Sequence, residues 1–398
     1  MLVARHPSGP VVGRRVAVTG VGAVSCAGVG AEALWDALLK DEAPPSKHVA
    51  PYDASHLGGP KELRRLDPFT LYALTAADEA WRQSGLDGPM VDAGSVVTTG
   101  IGGLQTVLEQ YRVLLERGVD RVSPFMVPMM MPNAATAAVS MRFGLGGPAE
   151  TVTTACAAGT HAIGNAARLV ATGRCPVAMA GGAEAVMVDL AEAGFRNMTA
   201  LSSTDFSRPF DIERDGFVLG EGAGILVLED WDRAVERGAT ILAEVIGAAS
   251  TADAHHITAP DPSGRGAVRS MELALEDAQI TPGDVSHINA HGTSTPLNDL
   301  AEAVAVHEVF GVPGPPVTSV KGHLGHSLAA AGALEGVASV LTLQRQLIPP
   351  TAGTTKVDPE IDLDVVTGGP RAAEIEVVLS NSFGFGGHNG SVVFRRAL

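Results

Sequence analysis

The chain has 398 residues, 45% apolar and 18% charged, enough for one large or two fused globular domains around an extensive core. Its formal charge is −16, from 28 basic and 44 acidic residues, which argues against non-specific binding to nucleic acid or to an anionic membrane. Three cysteines (Cys26, Cys156, Cys175) form neither a disulfide framework nor a zinc spacing, so a reducing cytoplasm is the simplest expected setting.

The opening "MLVARHPSGPVVGRR" lacks the apolar stretch of a signal peptide. No apolar run approaches the ~20 residues of a membrane span; "VMVDLAEAGF" is broken by Asp189 and Glu192. A first strand is expected over 15–18. The "TGVGAV" after it approaches a dinucleotide fingerprint, but Ser25 stands where the closing glycine belongs, so the signal is weak. A helix is expected over 31–40. The run "KELRRLD", with Lys61, Arg64 and Arg65, is either a solvated helix face or a docking patch. Helices over 69–84, 103–118 and 134–142 enclose a strand over 95–99, and a further strand is expected over 150–153.

Cys156 follows that strand and opens a helix expected over 157–172. Two readings stand side by side. It is a small core residue, or it is a nucleophile whose thiol pKa the helix N-terminus lowers from about 8.5. Strands over 177–180, 224–229 and 242–248 follow, with a helix over 230–236 between the last two. His255–His256 and His323–His326 lack the third ligand and spacing of a metal site, and no metal is expected.

In the second half, helices over 265–278, 298–310 and 328–346 alternate with strands over 285–290, 317–320, 377–380 and 391–395. "NAHGTSTPLND" (His291) and "KGHLGHSLAAAG" (His326) each follow an apolar strand, where catalytic groups of α/β folds collect. One cysteine with two histidines so placed suits thiol acyl transfer. The tail "NSFGFGGHNG" is either a plain hairpin or a turn whose backbone N–H groups hold an oxyanion; the alternation of Phe383 and Phe385 with glycine favours the second.

The alternation of elements predicts an α/β fold with strands buried on both faces. "AETVTTACAAGTHAIGNAARL" and "PPVTSVKGHLGHSLAAAGALEGVASVL" both read as strand, turn and small-residue helix. Two such helices predict a duplicated unit, with halves 1–249 and 250–398 sharing one core.

The segments "TACAAG", "GGAEA", "SRPFDIERDGFVLGEGAG", "NAHGTSTPLND", "GHSLAAAGALE" and "NSFGFGGHN" resemble those of the β-ketoacyl-[acyl-carrier-protein] synthases of the KAS I/KAS II type, over nearly the whole chain. The resemblance implies a thiolase fold: two pseudo-symmetric βαβαβαββ halves in a five-layered αβαβα sandwich, as a homodimer or as a heterodimer with a related subunit. It implies decarboxylative condensation of an acyl-cysteine with malonyl carrier protein, without cofactor. Cys156 matches the nucleophile, His291 and His326 the paired histidines, Lys321 the lysine before the second, and Glu335 the acid in the helix that follows. The N–H groups of Cys156 and Phe385 match the oxyanion hole, and Phe385, with Phe383 beside it, the gate. Thr293, Thr295 and Thr258 match contacts of the phosphopantetheine arm, and Ile101 and Phe195 the acyl pocket. Lys61, Arg64, Arg65 and Arg196 match the carrier-docking cluster. "KGHLGH" departs from the usual "KSMTGH"; the lysine-to-histidine spacing is kept and His323 is extra.

A thiolase would need a second cysteine near the C-terminus, and none follows Cys175. A catalytically silent chain-length factor would lack Cys156, and a cysteine hydrolase would need no carrier patch. Primary fatty acid synthesis and a dedicated type II polyketide pathway both fit the motifs.

Overall fold

A computed structural model describes residues 13–397. The first twelve residues, on which the expected absence of a signal peptide rests, lie outside the described residues, as does Leu398. No helix among the described residues is long and apolar enough to cross a membrane.

The N-terminal half carries β1 (Val16–Ser25), α1 (Pro68–Ser84), β2 (Gly94–Thr98), α2 (Leu104–Arg117), α3 (Ala134–Phe143), β3 (Ala149–Glu150), α4 (Ala158–Ala171), β4 (Val177–Glu184), α5 (Asp189–Asn197) and β5 (Gly222–Asp230). The C-terminal half carries β6 (Ala243–Ala252), α6 (Arg265–Ala278), β7 (His287–Asn289), α7 (Pro296–Phe310), β8 (Val317–Thr318), α8 (Ala329–Arg345), β9 (Val377–Gly384) and β10 (His388–Arg396).

The strand order proves the duplication. The N-terminal strands lie in the order β3-β2-β4-β5-β1 and the C-terminal ones in the order β8-β7-β9-β10-β6, which is the same permutation. The directions match as well: two parallel pairings, then two antiparallel ones, in each half. The halves join where β1 and β6 run antiparallel, through Val16–Val18 against Ala243–Val245.

Helices α4 and α8 lie between the two halves of this continuous sheet, each half a sheet layer of its own, in a core shared by strands of both. That position accounts for their Ala/Gly composition. A Cβ on Gly159 would stand 2.6 Å from the Ala329 oxygen, and one on Gly332 would stand 2.7 Å from the Thr160 nitrogen. Helices α1 and α3 cover the outer face of one sheet, and α6 and α7 that of the other. Within β4 the division is visible at period two: Val177 and Met179 join the outer core, Ala178 and Ala180 the central one. Five layers result.

One expectation is corrected, and two weaker readings gain a structural reason. "TGVGAV" makes no phosphate-binding turn; it lies inside β1, where a Cβ on Gly20 or Gly22 would collide with the α1 carbonyls of Ala80 or Ala76. Its glycines allow strand and helix to touch. The strand expected over 150–153 shrinks to Ala149–Glu150, because only these residues pair with β2. The tract broken by Asp189 and Glu192 forms the surface helix α5, none of whose residues is buried.

Candidate active site

Duplication places the chemistry. Cys156 sits in a single 3-10 turn (Ala155–Ala157) between β3 and α4. His326 sits at the equivalent point between β8 and α8, and His291 follows β7. Sulfur and ring nitrogens come within 4.8 Å of one another. The sequence spacing showed no metal-ligand set, yet the fold gathers this trio of donor atoms at one point. The rings of His291 and His326 meet edge to face at 5.4 Å, and Phe383 packs on His291 at 5.8 Å. Ala155 is held at φ 50° and the cavity-lining Leu328 at φ 47°, a strain of about 1–3 kcal/mol each that recurs at functional sites.

The tail forms the hairpin weighed from the sequence. β9 and β10 form a hairpin, and its tip reaches the cysteine. A Cβ on Gly384 would stand 2.9 Å from the Thr154 oxygen and 3.1 Å from the Cys156 nitrogen, so only glycine permits this approach. The N–H groups of Phe385 and of Cys156 itself are directed at the sulfur. Two groups that the sequence reading missed hold the tip. The Asn389 amide donates to Asp253 at 2.7 Å, while the Asp253 N–H donates to the Gly387 carbonyl at 2.9 Å. His161 bridges the Thr154 hydroxyl (2.7 Å) and the Asn389 carbonyl (3.1 Å). The links to Asn389 are tertiary, and no local pattern signals them.

The expected acidic thiol is corrected. Burial pushes Cys156 up to about 11, outweighing the N–H of Phe385 and the nearby Lys321 charge, which act the other way. Lys321 is itself buried in an ion pair with Glu335, and its ammonium donates to the His291 carbonyl at 2.6 Å. Burial, aided by the Lys321 charge, holds the imidazoles of His291 and His326 well below their usual 6.5, so they stand neutral. Glu302 on α7 accepts the His291 and Gly292 N–H groups at 2.8 and 2.7 Å, fixing the loop that carries His291.

A cavity of about 580 Å³ opens over the sulfur. Phe195, Thr258, Thr293, Thr295, Phe383 and Phe385 line it, with both histidines. Thr295 also caps α7, so its hydroxyl serves the fold as well. Ile101 does not line this cavity and is 42% exposed. Lys321 and Glu335 lie behind the histidines rather than in the cavity. The extra His323 pairs through Nε2 with the Lys40 carbonyl at 2.6 Å, and burial lowers it to about 4. Lys61, Arg64 and Arg65 are exposed, on and just after a one-turn helix (Pro60–Leu63), with Arg65 over the Phe125 ring at 4.1 Å. Arg196 is exposed on α5. Cys175 is buried in the central core, and Cys26 packs partly buried against it.

A cysteine and a histidine at equivalent strand ends of a duplicated βαβαβαββ scaffold, with a second histidine after the neighbouring strand, mark the thiolase-like acyl-transferring enzymes. Residues 45–234 match the model of the β-ketoacyl synthase N-terminal domain, and residues 242–355 that of the C-terminal domain. The chain is 42% identical to 3-oxoacyl-[acyl-carrier-protein] synthase 2 of Synechocystis sp., over 96% of this chain and 98% of that one. The enzyme of the same name from Staphylococcus aureus matches at 42% identity with the same coverage. Similar solved structures are the ishigamide ketosynthase/chain length factor (TM-score 0.91, 32% identity, 97% of this chain and 100% of that chain) and a β-ketoacyl synthase from Burkholderia phymatum (TM-score 0.89, 33%, 97% and 100%). A type II polyketide synthase acyl-carrier protein in complex with its ketosynthase bound to the hexaketide is also similar (TM-score 0.86, 32%, 97% and 100%). The chain belongs to the β-ketoacyl synthase family and is a condensing acyltransferase.

Proposed function

We propose that Cys156, His291 and His326 carry out decarboxylative condensation of an acyl group with a malonyl group, both delivered on acyl carrier protein. The observation that carries this reading is the convergence of one sulfur and two imidazoles within 4.8 Å, beside two N–H groups aimed at the sulfur.

In the first half-reaction the Cys156 sulfur attacks the acyl thioester. The C–S bond to Cys156 forms, the bond to the carrier breaks, and the thiol proton ends on the departing carrier thiol. The tetrahedral oxyanion rests on the Cys156 and Phe385 N–H groups, at about 3–4 kcal/mol each. In the second, the malonyl carboxylate leaves as carbon dioxide. The resulting enolate oxygen takes N–H donors from His291 and His326, which as neutral rings hold one N–H each. Charge builds on that oxygen mainly in the transition state, so these bonds raise rate rather than affinity. The enolate carbon then attacks the acyl-Cys156 carbonyl, a C–C bond replaces the C–S bond, the Cys156 sulfur leaves as thiolate and takes up a proton from solvent, and a 3-oxoacyl carrier product departs. None of these steps draws on a redox cofactor or a metal.

Carrier docking falls to Lys61, Arg64, Arg65 and Arg196, exposed cations on a chain of charge −16. A homodimer is supported by an apolar surface in the N-terminal half, with Tyr111 59%, Leu115 68% and Val127 56% exposed. The exposed edge strand β3 and Ile101 lie in the same half. Halves 1–249 and 250–398 act as the cysteine-bearing and histidine-bearing units, working in the cytoplasm. Similarity to type II polyketide ketosynthases supports a second reading, a dedicated pathway with a related partner subunit. Elongation of graded primers by malonyl carrier protein, read by intact-protein mass spectrometry, tests the reading. A 3-oxoacyl carrier product is expected, and free acid or no product overturns it. Which carrier supports turnover separates the pathways.

A further inference from the structure

The duplication reaches down to single residues at the turn that carries the cysteine. Ala155 before Cys156 and Leu328 before Ala329 hold the same rare backbone angle, φ 50° and 47°. Gly159 and Gly332, where α4 and α8 touch, stand three residues past Cys156 and three past Ala329. Cys156 and Ala329 are thus counterparts. Strands β4 and β9 are counterparts as well, eight residues each, so Glu184 at the end of one answers to Gly384 at the end of the other. Gly384, which has no side chain, lies against the Cys156 nitrogen. Glu184 lies against the Ala329 nitrogen and accepts its N–H at 3.3 Å.

The Glu184 carboxylate is wholly buried and gathers donors from two segments. From the loop after β2, the Gly100 N–H donates to Oε2 at 2.7 Å and the Thr99 hydroxyl to Oε1 at 2.8 Å, and the Ile101 N–H also faces it. From α8 comes the Ala329 N–H, at a helix start, where N–H groups lack partners and carry partial positive charge. We propose that Glu184 is a positioning residue for acyl transfer, whose carboxylate fixes the start of α8, and with it Leu328, against Cys156. This rests on the acyl-transfer step of the reading above. Leu328 directly precedes Ala329, lines the catalytic cavity and shares a buried apolar cluster with Cys156. His326 is held separately, its N–H donating to the Val218 carbonyl at 2.7 Å and its carbonyl accepting the Gly220 N–H at 3.0 Å. Loss of the carboxylate therefore disturbs the sulfur side more than the enolate side.

The test compares the parent with Glu184→Gln and Glu184→Gly at about pH 8, above the value of about 7 to which burial raises this carboxyl, so that it is ionised. The readouts are Cys156 acylation at saturating acyl carrier protein, followed by intact mass, and carbon dioxide release from malonyl carrier protein. Glu184→Gln keeps the volume but offers one acceptor oxygen and brings N–H donors into a place lined by donors. Its acylation is expected to slow by about tenfold or more, the usual cost of a small displacement beside reacting atoms, and its decarboxylation by less. Added acetate is expected to restore acylation severalfold in Glu184→Gly, where the vacated place keeps its N–H groups. Acetamide, neutral and of the same shape, should not, and acetate should leave the parent and Glu184→Gln unchanged. Parent-rate acylation by Glu184→Gln overturns the proposal. So does equal slowing of both reactions, which general loosening of the core would give, or, in a folded Glu184→Gly, no rescue by acetate or equal rescue by acetamide. Where Glu184→Gly does not fold, the two rates of Glu184→Gln decide alone. If the parent acylates but makes no 3-oxoacyl product, the condensing reading fails instead, and the acylation rates still decide the role of Glu184.

Discussion

The Lys321 ammonium donates to the His291 carbonyl oxygen at 2.6 Å, and it does so from inside a buried ion pair with Glu335. One charge pair therefore ties the strand-end loop of β7 to helix α8. It also ties the position of His291 to the integrity of the central core. A buried pair of this kind contributes little net stability when intact but is costly to break.

Glu335→Gln leaves the Lys321 charge buried without its counter-ion. A loss of about 3–5 kcal/mol in unfolding free energy is expected, read by urea denaturation. Lys321→Met/Glu335→Leu is expected to recover most of that stability, yet to condense more slowly than the parent, because the His291 carbonyl has lost its donor. Parent-like condensation by the double variant would show that Lys321 serves the fold alone.

Cys156→Ala is expected to abolish acyl transfer and condensation while retaining some decarboxylation of malonyl carrier protein. With the thiol at about 11, alkylation of the free enzyme by a small neutral reagent should climb about tenfold per pH unit from neutral upward, with no plateau until the thiol titrates. A plateau below about pH 8 would mean the helix N-terminus outweighs burial after all. Peptide mapping should place the label on Cys156 and not on Cys26 or Cys175.

His291→Ala and His326→Ala should each slow decarboxylation by orders of magnitude and leave acylation of Cys156 measurable. Both rings are held well below 6.5, so the parent rate of carbon dioxide release should be flat from pH 6.5 upward to about 8. A titration within that window would contradict the neutral assignment.

Glu302 is raised to about 7 by burial, against 4.5 for the free group. A carboxyl with a raised folded pKa adds stability that is fully present below the unfolded value and is lost as pH rises through the folded one. The parent should therefore lose stability between pH 4.5 and 7, with Glu302 accounting for about 3 kcal/mol. Glu302→Gln should flatten that fall and lower turnover, since one oxygen cannot accept from both His291 and Gly292. Urea midpoints at the two pH values for parent and variant decide it; equal slopes would remove Glu302 from the account.

Lys61→Glu/Arg64→Glu should raise the apparent KM for carrier-bound substrates, most at low salt, since exposed charges are screened beyond roughly 10 Å at about 0.1 M. Turnover of small pantetheine thioesters should barely change. Arg65 is spared because its contact with Phe125 would confuse charge with packing. Equal losses on both substrate classes would rule docking out.

The sequence alone determined the duplicated α/β plan and the three residues proposed to react. Both are written in short-range chemistry: strands alternate with helices, the two buried helices are rich in Ala and Gly, and Cys156, His291 and His326 each stand just past a strand. Tertiary structure decided what depends on surroundings. The thiol of Cys156 goes up rather than down because desolvation is set by packing from every side, whereas a helix start is visible locally. Gly20 and Gly22 serve contact with α1 because the chain stays extended through them, which only the pairing with β5 establishes. Ile101 lies outside the cavity lining, and Asp253 and Phe217 enter the site from segments far from Cys156 in the chain. Such groups leave no periodic trace, because their partners are chosen by the fold.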